Sequence, residues 1–158
     1  MMQWKKTWFL GILLAALLCI AAPISPARAQ NEFQLRVSPQ ETEVPVGTDF
    51  VLKLAVEDGV ALNAFDVLID FNPQVLTLEN WALGDYFANL ALVSVDVKAS
   101  FLRVAATQLA SPPVSGDGVV LIMSFNAKAE GVSLIEITQA QFADSDGVIY
   151  VPEGLDGQ

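Results

Sequence analysis

The sequence predicts an all-β domain, an antiparallel β-sandwich of about nine strands. Short runs rich in Val, Ile, Leu and Phe recur from residue 33 to residue 151, and Gly, Pro, Asp and Asn separate them. No stretch of this region repeats its apolar residues with the 3.6-residue period of a helix. On these grounds a jelly roll and an immunoglobulin-like sandwich fit alike, and a closed barrel fits less well.

The first run is "FQLRV" (33–37). After the turn residues Pro45, Val46 and Gly47 comes "FVLKLAVE" (50–57), which Asp58 and Gly59 are expected to end. In "LNAFDVLIDF" (62–71), Phe65, Val67, Ile69 and Phe71 point one way and form a core face. Ala64, Asp66, Leu68 and Asp70 point the other way. Asn72 and Pro73 lead to "VLTLE" (75–79), and then come "LALVSVDV" (90–97) and "SFLRVAAT" (100–107). In the last of these, Leu102, Val104 and Ala106 make the inner face, and the charge of Arg103 turns Phe101, Ala105 and Thr107 outward with it. Pro112, Pro113 and the Gly116, Asp117, Gly118 turn precede "GVVLIMSFNAK" (118–128). There Val119, Leu121, Met123 and Phe125 alternate with Val120, Ile122 and Ser124, so both sides are largely apolar and the strand is expected at the centre of its sheet. "VSLIEIT" (132–138), set off by Glu130 and Gly131, and "VIYV" (148–151), set off by Asp146 and Gly147, complete the set.

Residues 1–29 are expected to be a signal peptide. Lys5 and Lys6 precede an apolar run from Trp8 to Ala22, and Ala27 and Ala29 supply the small residues at −3 and −1 of a cleavage site. That run is shorter than the roughly 18–20 residues of a membrane-spanning helix. Cys19, the one cysteine, follows Leu18 rather than a small residue, which argues against lipidation. Export then leaves one domain over 30–152 and a short polar tail, 153–158, with no disulfide available. Its stability must come from apolar burial and strand pairing. Cleavage leaves five basic residues against 18 acidic ones, a balance of −13 that repels nucleic acid and anionic lipid. The free domain is expected to be a secreted monomer.

Composition also bears on chemistry. With no His and no Cys after the signal, serine or cysteine triads and the usual zinc sites lack their parts. Asp66 and Asp70 are four strand residues apart, about 13 Å, whereas a glycoside hydrolase pair needs roughly 5–9.5 Å. No enzyme and no cofactor are expected. "FADSDG" (142–147) puts Asp144, Asp146, Gly147 and Glu153 at positions 3, 5, 6 and 12 of an EF-hand loop, but Phe142 stands at position 1, where no ligand is possible. An acidic turn between the last two strands is the better reading. Trp81 and Tyr86 are expected to cap the end of the sandwich rather than to stack on sugar.

The outward side of 62–71 is unusual, because two carboxylates are separated by a leucine and flanked by an alanine where a merely soluble strand carries Lys, Thr, Ser and Glu. Together the motifs resemble the cohesin domains of bacterial extracellular assemblies. The resemblance runs through "VGTDFVLKLAVED", "NAFDVLIDFNPQVLTL", "LGDYF", "LRVAATQ", "SGDGVVLIMSFNAK" and "FADSDGVIYV", six pieces in the family's order. It implies a jelly-roll sandwich that binds a dockerin-bearing extracellular protein, such as a glycoside hydrolase, with calcium on the dockerin and none on this chain. It also implies that the face around Asp66 is the plateau where dockerin helices dock, with Asp66 a principal acceptor. Ala64 stands where the family commonly has Asn, and Gln108 near a commonly acidic position. Asp66, and secondarily Asp70 and Gln108, are thus the expected acceptors, set among Ala64, Leu68, Ala105 and Thr107, which form a low-charge centre able to exclude water. The competing readings are a carbohydrate-binding sandwich and a structural subunit that assembles through its sheet edges.

Overall fold

The computed structural model describes residues 33–152. The segments expected to be a signal peptide (1–29) and a polar tail (153–158) both lie outside the described residues. Among the described residues eight strands form, all paired antiparallel: β1 (Gln34–Ser38), β2 (Asp49–Phe71), β3 (Leu76–Leu83), β4 (Leu90–Val97), β5 (Phe101–Gln108), β6 (Val114–Ala127), β7 (Ile135–Asp144) and β8 (Ile149–Tyr150). The expected jelly-roll sandwich is present, with one strand fewer than the sequence predicts.

The missing strand is a merger. Asp58 and Gly59 read as a turn, yet 49–71 is one 23-residue strand. Its first half pairs with β1 and β6, and its second half with β5 and β7. One layer is therefore β3-β6-β2-β1 and the other β4-β5-β2-β7-β8. The crossing takes place where Asp58 (φ 59°) and Ala61 (φ 52°) adopt left-handed backbone and the register with β6 shifts twice. Side-chain groups hold this bend: Asp117 Oδ1 accepts from the Asp58 amide at 2.9 Å, and Ser115 Oγ from the Ala61 amide at 2.9 Å. Gly59 lies against Tyr86, whose hydroxyl occupies the space that a Cβ would need.

The core fills the gap between the layers. Leu52, Leu54 and Val56 from the first half of β2 are buried, as are Phe65, Val67, Ile69 and Phe71 from the second half. Leu102, Val104 and Ala106 of β5 join them as expected. Rings interlock across the layers, with Phe71 edge-on to Phe125 at 5.0 Å and Phe33 edge-on to Phe142 at 5.0 Å. β6 lies between β3 and β2, the central place its apolar faces predict. Its alternation breaks at Val120. Leu54 pairs with Leu121 and Ala55 with Val119, so Val120 is an extra residue in a bulge, and it is buried beside Leu121 while Val119 is only half-buried.

Two loops close the sandwich. Tyr86 and Phe87, edge-on at 4.8 Å, are both buried, and Phe65 stacks on Phe87 at 5.5 Å. The Tyr86 hydroxyl finds no hydrogen-bond partner among the described residues. Burial, and secondarily the charge of Asp117, push its pKa up to about 12. At the other connection β7 starts later than predicted and runs through Phe142 into the acidic turn. Asp144 Oδ1 accepts from the amides of Asp146 and Val148, both at 2.9 Å, and Asp144 Oδ2 from the Tyr150 hydroxyl at 2.8 Å. That carboxylate thus organises the β7–β8 turn.

Candidate functional site

Strand pairing sets which side chains share the outer surface of the β4-β5-β2-β7 layer. Asp66 lies opposite Ala105 on one side and Gln141 on the other. Leu68 lies opposite Arg103 and Gln139, and Ala64 opposite Thr107 and Ala143. On the edge strand, Leu92, Ser94 and Asp96 continue these rows past Thr107, Ala105 and Arg103. Ala64, Asp66, Leu68, Asp70, Ala105 and Thr107 therefore stand together on one face, each half-buried. Small and neutral side chains fill the end near Ala64, and the charges gather from Asp66 towards Asp70.

Asp66 is not the free acceptor that the sequence suggests. Arg103 reaches diagonally from its place opposite Leu68 and grips the carboxylate with two hydrogen bonds, Nε to Oδ1 at 3.0 Å and Nη2 to Oδ2 at 2.6 Å. The pair is bidentate, the most directional geometry available to a carboxylate. It holds the guanidinium pKa above its ordinary value, with the hydrogen bond to Asp66 the largest cause and the charge of Asp96 a lesser one. The Arg103 side chain remains 47% exposed and that of Asp66 26%, so both can still be reached from solvent. Asp96 itself is bridged by Lys98 at 2.9 Å. Asp70 has a neutral companion, the Thr138 hydroxyl, which donates to Oδ2 at 2.7 Å.

Gln108 requires a correction. Its side chain is 2% exposed and lies on the inner side of β5, in step with Leu102, Val104 and Ala106. Oε1 accepts from the Ala88 amide at 3.2 Å and Nε2 donates to the Pro112 carbonyl at 3.3 Å, which ties two loops together. It cannot meet a partner on the outer face. Asn63, which shares the inward parity of Phe65 and Val67, is half-buried and directs Nδ2 at the Gln108 carbonyl, 3.4 Å away. Arg103, read from sequence as outward-facing but given no role in the site, belongs to the face, and Leu92, Ser94 and Gln141, not assigned from sequence, join it because interstrand register brings them beside Asp66.

Among the described residues, no group of three or more His, Cys, Asp or Glu is placed to hold a metal ion. A cleft of about 860 Å³ opens between the 39–46 and 129–135 loops, lined mostly by aliphatic side chains and with Phe50 as its one ring. Gln40, Glu41, Thr42, Glu43, Glu130 and Ser133 are its polar side chains, and it lacks a row of aromatic rings on which a sugar could stack. The edge strand β4 adds exposed apolar side chains, Leu92 the most prominent at 64%.

The architecture is thus a sandwich that offers a broad sheet surface, neutral at the Ala64 end and charged from Asp66 to Asp70. The chain belongs to the cohesin domain family, whose model matches residues 35–152. Among solved structures it resembles a non-cellulosomal cohesin from the archaeon Archaeoglobus fulgidus, with a TM-score of 0.66 and 17% identity over 77% of this chain and 84% of that one. It also resembles the sixth cohesin of scaffoldin B from Acetivibrio cellulolyticus, in complex with a dockerin, with a TM-score of 0.63 and 18% identity over 77% and 93% of the two chains. A type I cohesin–dockerin complex from Clostridium thermocellum gives a TM-score of 0.64 at 14% identity, over 77% and 93%. No curated protein sequence matches significantly.

Proposed function

We propose that this chain is an exported, non-catalytic interaction module that binds a dockerin-bearing extracellular protein through the outer face of β4, β5, β2 and β7. Three observations support the reading: membership of the cohesin family, neighbours of the same fold captured with dockerins, and the face itself. The face carries most weight. Its small, neutral end near Ala64 can exclude water, and the half-buried Asp66 carboxylate beside it gains strength as an acceptor once a partner covers it. The partner is a dockerin, with a glycoside hydrolase as one candidate for the protein carrying it. Calcium belongs to the dockerin, and the module is a monomer when free.

Titration calorimetry of the mature domain against dockerins encoded by the same organism, with and without calcium, tests the reading. Asp66→Ala is expected to weaken binding by about 2 kcal/mol or more, the range of a binding hot spot. Stability should fall only slightly, since the ion pair lost with Arg103 is solvent-exposed. Retention on cellulose or chitin beads with no dockerin bound would favour a carbohydrate module instead.

A further inference from the structure

Two of the acceptor sites on Asp66 are already taken, which restricts what a partner can place there. A carboxylate offers about four lone-pair sites and a guanidinium five N–H groups. The fork between Arg103 and Asp66 uses two of each. Unused acceptors and unused donors therefore remain side by side on one exposed pair.

We infer that Arg103 is a specificity-determining residue of the docking face: with Asp66 it forms one neutral donor–acceptor unit that admits a hydroxyl or side-chain amide from the partner helix and turns away lysine and arginine. The inference rests on the docking function proposed above and narrows it. A Ser, Thr, Asn or Gln side chain both donates and accepts, so it can bond to Asp66 and to Arg103 without parting them. A cationic side chain has donors only and brings a like charge against the guanidinium. It can own Asp66 only by breaking the fork, at the moment when the covering helix makes an unpaired charge most costly. A carboxylate fares little better, because Asp66 and Asp96 stand on either side of Arg103. Cations have a better seat at Asp70, whose companion is the uncharged Thr138 hydroxyl. Along β2 that seat is roughly 13 Å from Asp66, so a single helix can place a neutral polar group at one and a basic group at the other.

The test is a selection. A calcium-loaded, two-helix dockerin scaffold with its exposed helix residues randomised is displayed and sorted on the wild-type domain, on Arg103→Met and on Arg103→Lys, each bait first shown to melt as wild type does. Binders from the wild-type bait should carry Ser, Thr, Asn or Gln at the one helix position whose contribution disappears in Asp66→Ala. Those from Arg103→Met should carry Lys or Arg at that position. Wild-type-selected binders should lose about tenfold or more in affinity for Arg103→Met, the scale of one hydrogen bond to a charged group. Arg103→Lys, which keeps the charge, should still reject basic residues. Binders of the same composition from the wild-type and Met baits, or basic residues accepted by Arg103→Lys as readily as by Arg103→Met, would overturn the role of Arg103 and leave the docking function standing. No binders from any bait would overturn both.

Discussion

Replacing Gln108 separates a structural role from a docking role at a position where sequence reasoning suggested the latter. Gln108→Ala removes two hydrogen bonds, at 3.2 and 3.3 Å, and one buried methylene. Each bond contributes about 1 kcal/mol net, and the methylene about 0.8 kcal/mol. Ala88 and Pro112 are themselves exposed, so water can take over the freed N–H and C=O and no further desolvation penalty applies. The expected loss is about 2–3 kcal/mol. For the 120 residues of 33–152, at roughly 2.1 cal/mol/K of unfolding entropy per residue, that lowers the Tm by about 8–12 °C. Urea denaturation of the mature domain, supported by calorimetry, measures it. Gln108→Met keeps most of the volume and should lose only the hydrogen-bond share, about 2 kcal/mol. Dockerin affinity should be unchanged in both variants at a temperature where they are folded. A stability change under about 0.5 kcal/mol, as at an ordinary surface site, would refute the inward placement of this side chain.

The remaining predictions concern the crossing of β2. Tyr86 should ionise well above the usual 10.0 in an ultraviolet pH titration of the folded domain, since burial pushes its pKa up to about 12. Because the folded-state value is the higher one, the unfolded chain gives up its proton first, so the Tyr86 contribution to stability is complete below pH 10 and is lost as pH rises towards 12. Tyr86→Phe should abolish this part of the alkaline loss. Gly59→Ala forces a Cβ onto the Tyr86 hydroxyl and should cost about 1–3 kcal/mol, as overpacking does, and Tyr86→Phe in the same chain should recover part of it in a double-mutant cycle.

Much of this was legible along the chain, because a strand's side chains alternate and the alternation is local. The inner row Phe65, Val67, Ile69 and Phe71 and the outer row from Ala64 to Asp70 follow from that period alone. The same parity, carried one residue past Thr107, would have turned Gln108 inward. Asp58 and Gly59 were harder to read, since the residues that bend a strand from one layer into the other are those that end a strand in a turn. The Val120 bulge and the grip of Arg103 on Asp66 left no local trace. Both depend on which residue of a neighbouring strand lies alongside, a relation between segments 37 positions apart in the case of the ion pair.

Because β2 belongs to both layers, neither layer owns a boundary at which it could detach. A pull on the plateau by a tethered partner passes along one covalent backbone into the strands behind it, and every ladder that shares that backbone resists together. For a module proposed to hold a dockerin-bearing protein, such a shared spine makes yielding an all-or-none event instead of a gradual peeling of one sheet from the other.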